Sequence, residues 1–238
     1  MIPRIIHYCW FGKGKMPILA LKCIESWKKH LPDYQLKEWN EETFNINSNT
    51  YVREAYEAKK FAFVTDYVRL YALYVDGGIY MDTDVEVLKS LDCFLNLPAF
   101  SGFEDDTHIP TGIMASERGG KWVKWQLQYY EDRHFLLPDG SLDLTTNVVV
   151  ISRLMEDRGF VLRNGLYDFQ GCITIFPKDY FCPKSYDTGE LHITKNTYTI
   201  HHFAGSWIKK YPLWLSIIWK YTPHGLRSIS RSIFKLRK

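Results

Sequence analysis

The chain has 238 residues, 46% of them apolar and 16% aromatic, with 24% charged; that is enough to bury the core of one generous domain, and it excludes a disordered or low-complexity segment. The formal net charge of +3 is unevenly spread: residues 209–238 hold eight Lys or Arg and no acid, leaving 22 basic against 27 acidic residues elsewhere, a net of −5. A mildly acidic body with a basic tail excludes a nucleic-acid-binding domain, whose basic residues would cover the folded face.

Two further classes are not expected. The longest uncharged apolar stretch near a terminus, Pro212 to Trp219, is about a third of what a membrane-spanning helix needs. The opening Met1-Ile2-Pro3-Arg4-Ile5-Ile6 has no basic region leading into a long apolar core, so export is not expected. Five cysteines, at 9, 23, 93, 172 and 182, form no C-x-x-C pair. That argues against a disulfide framework or a structural zinc site and points to the reducing cytoplasm.

Ile2 to Cys9 reads as a buried first strand ending in the loop Trp10-Phe11-Gly12-Lys13-Gly14-Lys15. Pro17 to His30, with Leu21, Ile24 and Trp27 at helical spacing, reads as an amphipathic helix with Pro in its first turn. Tyr34 to Trp39 alternates as a second strand, and Asn40 is placed to cap a short helix. Phe61 to Asp76 is an almost wholly apolar helix ended by Gly77-Gly78. Ile79-Tyr80-Met81 follows as a short buried strand running into Asp82-Thr83-Asp84. This alternation argues for an α/β layer fold with parallel strands.

The second half is less regular. Phe100 to Phe103, Gly112 to Ala115, Cys172 to Phe176 and Tyr198 to Phe203 are strand-like, and Lys121 to Phe135 helix-like. Thr146 to Glu156 fits either state, because Val148-Val149-Val150-Ile151 suits a buried strand and a helix alike. With no repeat and no Gly/Ser/Pro-rich linker, the expected organisation is one domain over residues 1–208 and a basic, aromatic helical tail over 209–238.

Four features carry chemistry. Asp82 and Asp84 stand two apart where a buried strand flanked by glycines ends. If the chain leaves the strand there, both turn toward one hard cation, Mn²⁺ or Mg²⁺, which in turn bridges phosphate oxygens. An Asp-x-Asp alone is common in solvated turns; the setting favours the metal. Asp66 and Arg69, three apart on the apolar helix, share a face and read either as a self-satisfied ion pair or as a grip on polar ligand hydroxyls. In Tyr198 to Trp207, His201 and His202 point to opposite faces of a strand. One of them, followed by Ser206 and Trp207, is placed to bring a metal ligand, a hydroxyl and an indole donor together. Trp10 stands at the C-terminal end of the first strand, where α/β sheets bind nucleotides, and is suited to core packing or to stacking on a base.

Taken in order, Ile2 to Gly12, Ser26-Trp27 with Pro32-Asp33-Tyr34, Ala62 to Arg69, Gly77 to Asp84 and His201 to Trp207 resemble the DXD sugar-transferase family. That family includes bacterial capsular polysaccharide glycosyltransferases, yeast initiating mannosyltransferases and, more distantly, the large clostridial glucosylating toxins. The resemblance spans roughly Ile2 to Trp207. It implies a GT-A fold and a retaining, Mn²⁺- or Mg²⁺-assisted transfer from a nucleotide-sugar, UDP-linked first of all. The acceptor it implies is a saccharide or lipid-linked saccharide, in surface polysaccharide synthesis. By the same resemblance Trp10 stacks on the base, and Asp66 and Arg69 hold the donor sugar. Tyr80 and Asp82 meet the ribose and, through water, the metal. Asp84 binds the metal directly and His201 is its third protein ligand, with Ser206 and Trp207 near the departing phosphate. The choice between His201 and His202 stays open, as do the acceptor-side residues around Gly112-Ile113-Met114 and Asn147.

Two other classes share these residues. Met81 to Val85 also resembles the first motif of aspartate-nucleophile phosphatases, with Asp82 taking the phosphoryl group, although here strands and helices precede it. A non-catalytic nucleotide-sugar-binding protein is the second. The tail mixes aromatic, aliphatic and basic residues, which suits either a helix closing the domain or a peripheral contact with an anionic membrane surface on the cytoplasmic side.

Overall fold

The computed structural model describes residues 1–205; Ser206, Trp207 and the tail at 209–238 lie outside the described residues. Met1–Ala204 form one compact unit. The elements in chain order are β1 (Ile5–Cys9), α1 (Ile18–His30), β2 (Gln35–Trp39), α2 (Thr50–Glu57), α3 (Phe61–Asp76), β3 (Gly78–Met81), β4 (Val85–Val87), β5 (Ala99–Gly102), β6 (Ile113–Ser116), α4 (Lys121–Gln128), α5 (Asn147–Glu156), β7 (Tyr167–Phe169), β8 (Ile173–Phe176), α6 (Lys178–Phe181) and β9 (Thr199–His201). Seven strands form one sheet in the order β2-β1-β3-β6-β5-β8-β7, and β4 pairs with β9 in a separate two-stranded sheet. β6 and β7 run against the other five strands. The expected α/β layout is therefore present: a mixed, mostly parallel sheet flanked by helices.

Both faces of the sheet are covered. Along β3, Ile79 and Met81 join the core that contains Trp27 of α1, and Tyr80 joins the core built on α3, as the two-residue period of a strand requires. α3 is apolar nearly all round because it buries Val64, Val68, Leu70, Ala72 and Leu73 between the sheet and other helices, along with Asp66 and Arg69. On the opposite face, Trp27 is fully buried. Its indole N–H donates to the Val85 carbonyl at 2.7 Å, and Ser26 Oγ accepts from Val87 N at 2.9 Å. α1 thereby holds β4, and with it the outgoing end of the Asp82–Asp84 turn.

Several expectations are corrected. Asn40 caps no helix; its side chain accepts from the N–H groups of Glu42 and Thr43 at 2.9 and 3.2 Å and closes a turn. The helix begins later, with Asn49 accepting from Val52 N as cap of α2. The helix expected over Lys121 to Phe135 stops at Gln128, because the N–H groups of Phe135 and Leu136 go instead to the Glu54 carboxylate on α2, at 2.8 and 3.0 Å. The ambiguous segment is helix α5. Its buried positions Asn147, Val150, Ile151 and Met155 follow the helical period and leave Val149 outward. β4, β7 and α6, each three or four residues long, are too short to show a period in the sequence.

The turn from α3 into β3 depends on two glycines. Gly77 has φ +70° and Gly78 φ +118°, and a Cβ on Gly78 would lie 2.6 Å from the Ile5 carbonyl oxygen of β1. That backbone cannot move without breaking the β1–β3 pairing that sets where Asp82 emerges. Gly78→Ala is expected to lower stability by about 2–3 kcal/mol. Urea unfolding measures this directly, and an unchanged midpoint would refute the close approach.

Candidate active site

β1 and β3 are parallel neighbours, with Ile6 opposite Ile79 and His7 opposite Tyr80, so Trp10 and Asp82 emerge at the same C-terminal edge of the sheet. Trp10 is partly exposed there, with its indole N–H donating to the Gly14 carbonyl at 2.6 Å, which keeps the Trp10–Lys15 loop folded back on the ring.

Asp82 leaves β3 with its N–H on the Gly112 carbonyl at 2.8 Å, and Val85 N donates back to the Asp82 carbonyl at 2.9 Å. This tight turn brings Asp84 round toward β9, where His201 pairs with Val85. His201 Nε2 lies 3.3 Å from Asp84 Oδ1 and 4.0 Å from Asp82 Oδ2. Asp84 Oδ2 accepts from Ala204 N at 2.7 Å. Asp82, Asp84 and His201 each offer one ligand atom within 4.8 Å of the others. His202 points away and meets Glu86 at 2.8 Å.

The two sides of the Asp84–His201 contact support each other. Burial opposes ionisation of Asp84, but the His201 ring and the Ala204 N–H outweigh it and hold the carboxyl below its usual range. Burial likewise opposes charge on His201, and the Asp84 carboxylate overrides it and raises the ring's pKa. Two carboxylates and an imidazole are hard oxygen and nitrogen donors, so the residues fit a divalent cation such as Mg²⁺ or Mn²⁺. Tyr80 strengthens the fit: its hydroxyl donates to Asp82 Oδ1 at 2.7 Å and leaves Oδ2 directed at His201. Gly112 makes room for the ring, since a Cβ there would lie 2.7 Å from His201 Nδ1.

Beside this cluster stands a buried charge network. The Arg69 guanidinium reaches Asp66 Oδ1 at 3.1 Å and Asp82 Oδ1 at 3.4 Å. It donates to the Thr111 carbonyl at 2.7 Å, to the Thr65 carbonyl at 3.1 Å and to Thr65 Oγ1 at 3.2 Å, and it lies 4.7 Å from the Tyr80 ring centre. Burial pushes the Asp66 carboxyl up to about 6, against the pull of Arg69. Asn147, the first residue of α5, is buried beside Asp66, and neither its amide nitrogen nor its oxygen has a hydrogen-bond partner among the described residues. An amide left unpaired in this way costs about 1–3 kcal/mol, which is tolerable where a ligand completes it.

The structure therefore gathers Asp66, Arg69, Tyr80, Asp82, Asp84 and His201 into one site and sets Trp10 on its edge; Ser206 and Trp207 lie outside the described residues. Sequence reading left Asn147 without a role and missed Glu104 and Thr111. Glu104 follows β5, is partly exposed, and sits in the field of His201 and Asp82, with burial raising its carboxyl. An acid just past the C-terminal end of a strand was the available signal for it. Thr111 acts through its backbone carbonyl, which no side-chain pattern announces.

Comparison with known proteins agrees with this geometry. The family described as "Glycosyltransferase sugar-binding region containing DXD motif" matches residues 17–103, the stretch that contains Asp66, Arg69, Tyr80, Asp82 and Asp84. Residues 17–103 are thus similar to the DXD-containing sugar-binding region of that family. Among the chain's relatives, inositol phosphoceramide mannosyltransferase 3 of Schizosaccharomyces pombe is 29% identical over 122 residues, covering 50% of this chain and 34% of the relative. Inositol phosphoceramide mannosyltransferase 2 of the same yeast is 26% identical over 202 residues, covering 79% and 56%. An uncharacterised glycosyltransferase of Acanthamoeba polyphaga mimivirus is 33% identical over 106 residues, covering 42% of each chain. The chain thus spans from a third to just over half the length of these curated relatives. Among solved structures, a glycosyltransferase involved in glycosylation of the major capsid of PBCV-1 superposes with a TM-score of 0.48 at 14% identity, over 84% of this chain and 93% of that one.

Removing Arg69 would leave Asp66 buried without its cation. Arg69→Met is expected to cost about 3–5 kcal/mol in urea unfolding, and adding Asp66→Asn should recover part of that loss. A strictly additive double variant would show that the two side chains are not coupled.

Proposed function

We propose that this protein is a retaining, metal-dependent glycosyltransferase that moves a sugar from a nucleotide-sugar, UDP-linked first of all, to a saccharide or lipid-linked saccharide acceptor in surface polysaccharide synthesis. The observation that carries this reading is the convergence of Asp82, Asp84 and His201 within 4.8 Å beside the buried Asp66–Arg69 pair. Breaking a sugar–phosphate bond leaves a diphosphate with added negative charge and a sugar resembling an oxocarbenium ion. Asp84 and His201 would hold the cation, with Asp82 alongside, and the 3.3 Å Asp84–His201 contact supports His201 over His202 in this role. A bound Mn²⁺ or Mg²⁺ would supply Lewis-acid stabilisation of the leaving diphosphate. Trp10 at the sheet edge would stack on the base. The Asp66 carboxylate and Arg69 guanidinium would fix the donor hydroxyls, a positioning contribution worth several kcal/mol. Ser206 and Trp207 would meet the departing phosphate.

Retention follows in this reading from attack by the acceptor on the face the diphosphate leaves, since the three aspartates of the cluster are already engaged. Asp66 is paired with Arg69, Asp82 bonded to Tyr80 and Arg69, and Asp84 to His201 and Ala204. The engagement of Asp82 also speaks against its serving as a phosphatase nucleophile. The names of the two yeast relatives support a lipid-linked acceptor alongside a soluble saccharide.

The test is donor hydrolysis. The protein is incubated with UDP- and GDP-sugars, with and without Mn²⁺, and free nucleotide is quantified beside Asp84→Ala. Release from one donor that falls at least a hundredfold without metal or without Asp84 is the expected result; metal-independent release would sink the reading. No described helix is long and apolar enough to cross a membrane, and peripheral attachment at the cytoplasmic face would come from the basic, aromatic residues 209–238. Deleting residues 226–238 should lower co-sedimentation with anionic vesicles severalfold, and an unchanged bound fraction would remove that part of the proposal.

A further inference from the structure

One cavity lies outside the cluster just described. It has a volume of about 310 Å³ and is lined by Thr107 and His108 from the loop after β5, by Val149, Arg153 and Glu156 on one face of α5, and by Leu162. This is within the size range of small-ligand sites. Its position is set by the same elements that build the donor site. Asn147 begins α5 beside Asp66, so at 1.5 Å per residue the stripe from Val149 to Glu156 runs from about 3 to about 14 Å further along the helix axis. On the other wall, the loop that contributes Thr107 and His108 continues to Thr111, whose carbonyl accepts from Arg69. Ile109 N donates to Ser152 Oγ at 3.2 Å and ties that loop to α5 beside the cavity.

The lining selects a ligand class. Arg153 and Glu156 are three apart, a spacing at which opposite charges on a helix commonly pair. Here the two form no ion pair with each other, and neither side chain makes a hydrogen bond among the described residues. Both are exposed, so their donors and acceptor face solvent and are open to a ligand. Asp105 accepts from His108 Nδ1 at 2.8 Å and so orients the ring with Nε2 unused. The Thr107 hydroxyl adds a group that both donates and accepts. One cation and one anion in the same wall disfavour a phosphate or a carboxylate. A planar guanidinium, a carboxylate, a ring nitrogen and a hydroxyl around the apolar Val149 and Leu162 match the alternating hydroxyl edge and C–H face of a pyranose ring.

We infer that this groove is a saccharide subsite that holds a neutral hexopyranose unit of the acceptor one or more residues away from the sugar that is extended. The inference rests on the glycosyltransferase reading above and assigns its acceptor a path, from the Asp66–Asn147 end of α5 toward Glu156.

The test uses the full chain with Mn²⁺ and UDP, and the methyl α- and β-hexopyranosides of glucose, galactose and mannose as probes. Saturation-transfer NMR should detect at least one of them. Val149→Trp fills the groove from a side chain already 39% exposed, and Arg153→Ala with Glu156→Ala removes the polar wall. Each is expected to weaken hexoside binding at least tenfold and to leave UDP–Mn²⁺ binding and donor hydrolysis within twofold of the parent. Absence of signal from every hexoside, signal that survives Val149→Trp, or displacement by inorganic phosphate would overturn the subsite. Donor hydrolysis on the same samples separates the two readings. Hexoside binding without hydrolysis would remove the transferase reading but not the subsite, and hydrolysis without hexoside binding would remove only the subsite.

Discussion

The site depends on one buried cation. The Arg69 guanidinium is 4% exposed and uses its donors on three separate pieces of chain: Thr65 and Asp66 within α3, Asp82 at the end of β3, and the Thr111 carbonyl in the loop before β6. Burying such a group is expensive unless every donor is used and the charge is balanced. Those conditions lock the relative positions of the helix, the Asp-x-Asp turn and the loop before β6. Lysine offers no planar fork to do this. The same contacts leave Asp66 held on one side by Arg69 and facing the unpaired amide of Asn147 on the other, so the network is closed around its cation and open toward a ligand.

The second constraint is on the Asp-x-Asp turn. A pair of carboxylates leaving a strand would ordinarily spread toward solvent. Here Trp27 and Ser26 of α1 hold β4, and β4 pairs with β9 so that His201 comes opposite Val85. The separate two-stranded sheet delivers a histidine from more than a hundred residues away to the carboxylates of the turn. Gly112 gives the imidazole its space, and the Ala204 N–H fixes the far oxygen of Asp84. Partners ordered in this way around a candidate ligand set suit a hard cation held in one geometry.

The structure therefore divides into a tightly tied part and a more open one. The tied part lies on β1, α3, β3 and the β4–β9 pair, all joined by backbone ladders or buried charge. The open part is made of α5 and the loop after β5, joined by the Ile109–Ser152 bond, with polar side chains facing a groove. The family match covers residues 17–103, which include α3, β3, β4 and the Asp-x-Asp turn and none of α5. The Asp-x-Asp turn thus lies within the shared stretch, and the wall along α5 lies outside it.

The sequence by itself determined the layers and singled out the charged residues of the cluster. α3 was legible because a helix buried on nearly every side is apolar all round, and the two glycines after it announce a backbone that only glycine adopts easily. Asp66 and Arg69 were legible as charges in an apolar helix, and Asp82 and Asp84 as acids at the mouth of a buried strand. Tertiary structure decided what sequence periodicity does not encode. Thr146 to Glu156 became a helix because its buried positions fall at the helical period once the sheet is in place. The choice of His201 over His202 at the cluster came from strand pairing across more than a hundred residues, since adjacent strand positions differ only in the face they present. Thr111 entered through a backbone carbonyl, a group every residue carries. Glu104 and Asn147 gained their places because the fold carries them to one sheet edge, and long-range proximity leaves no mark on the residues next to them in the chain.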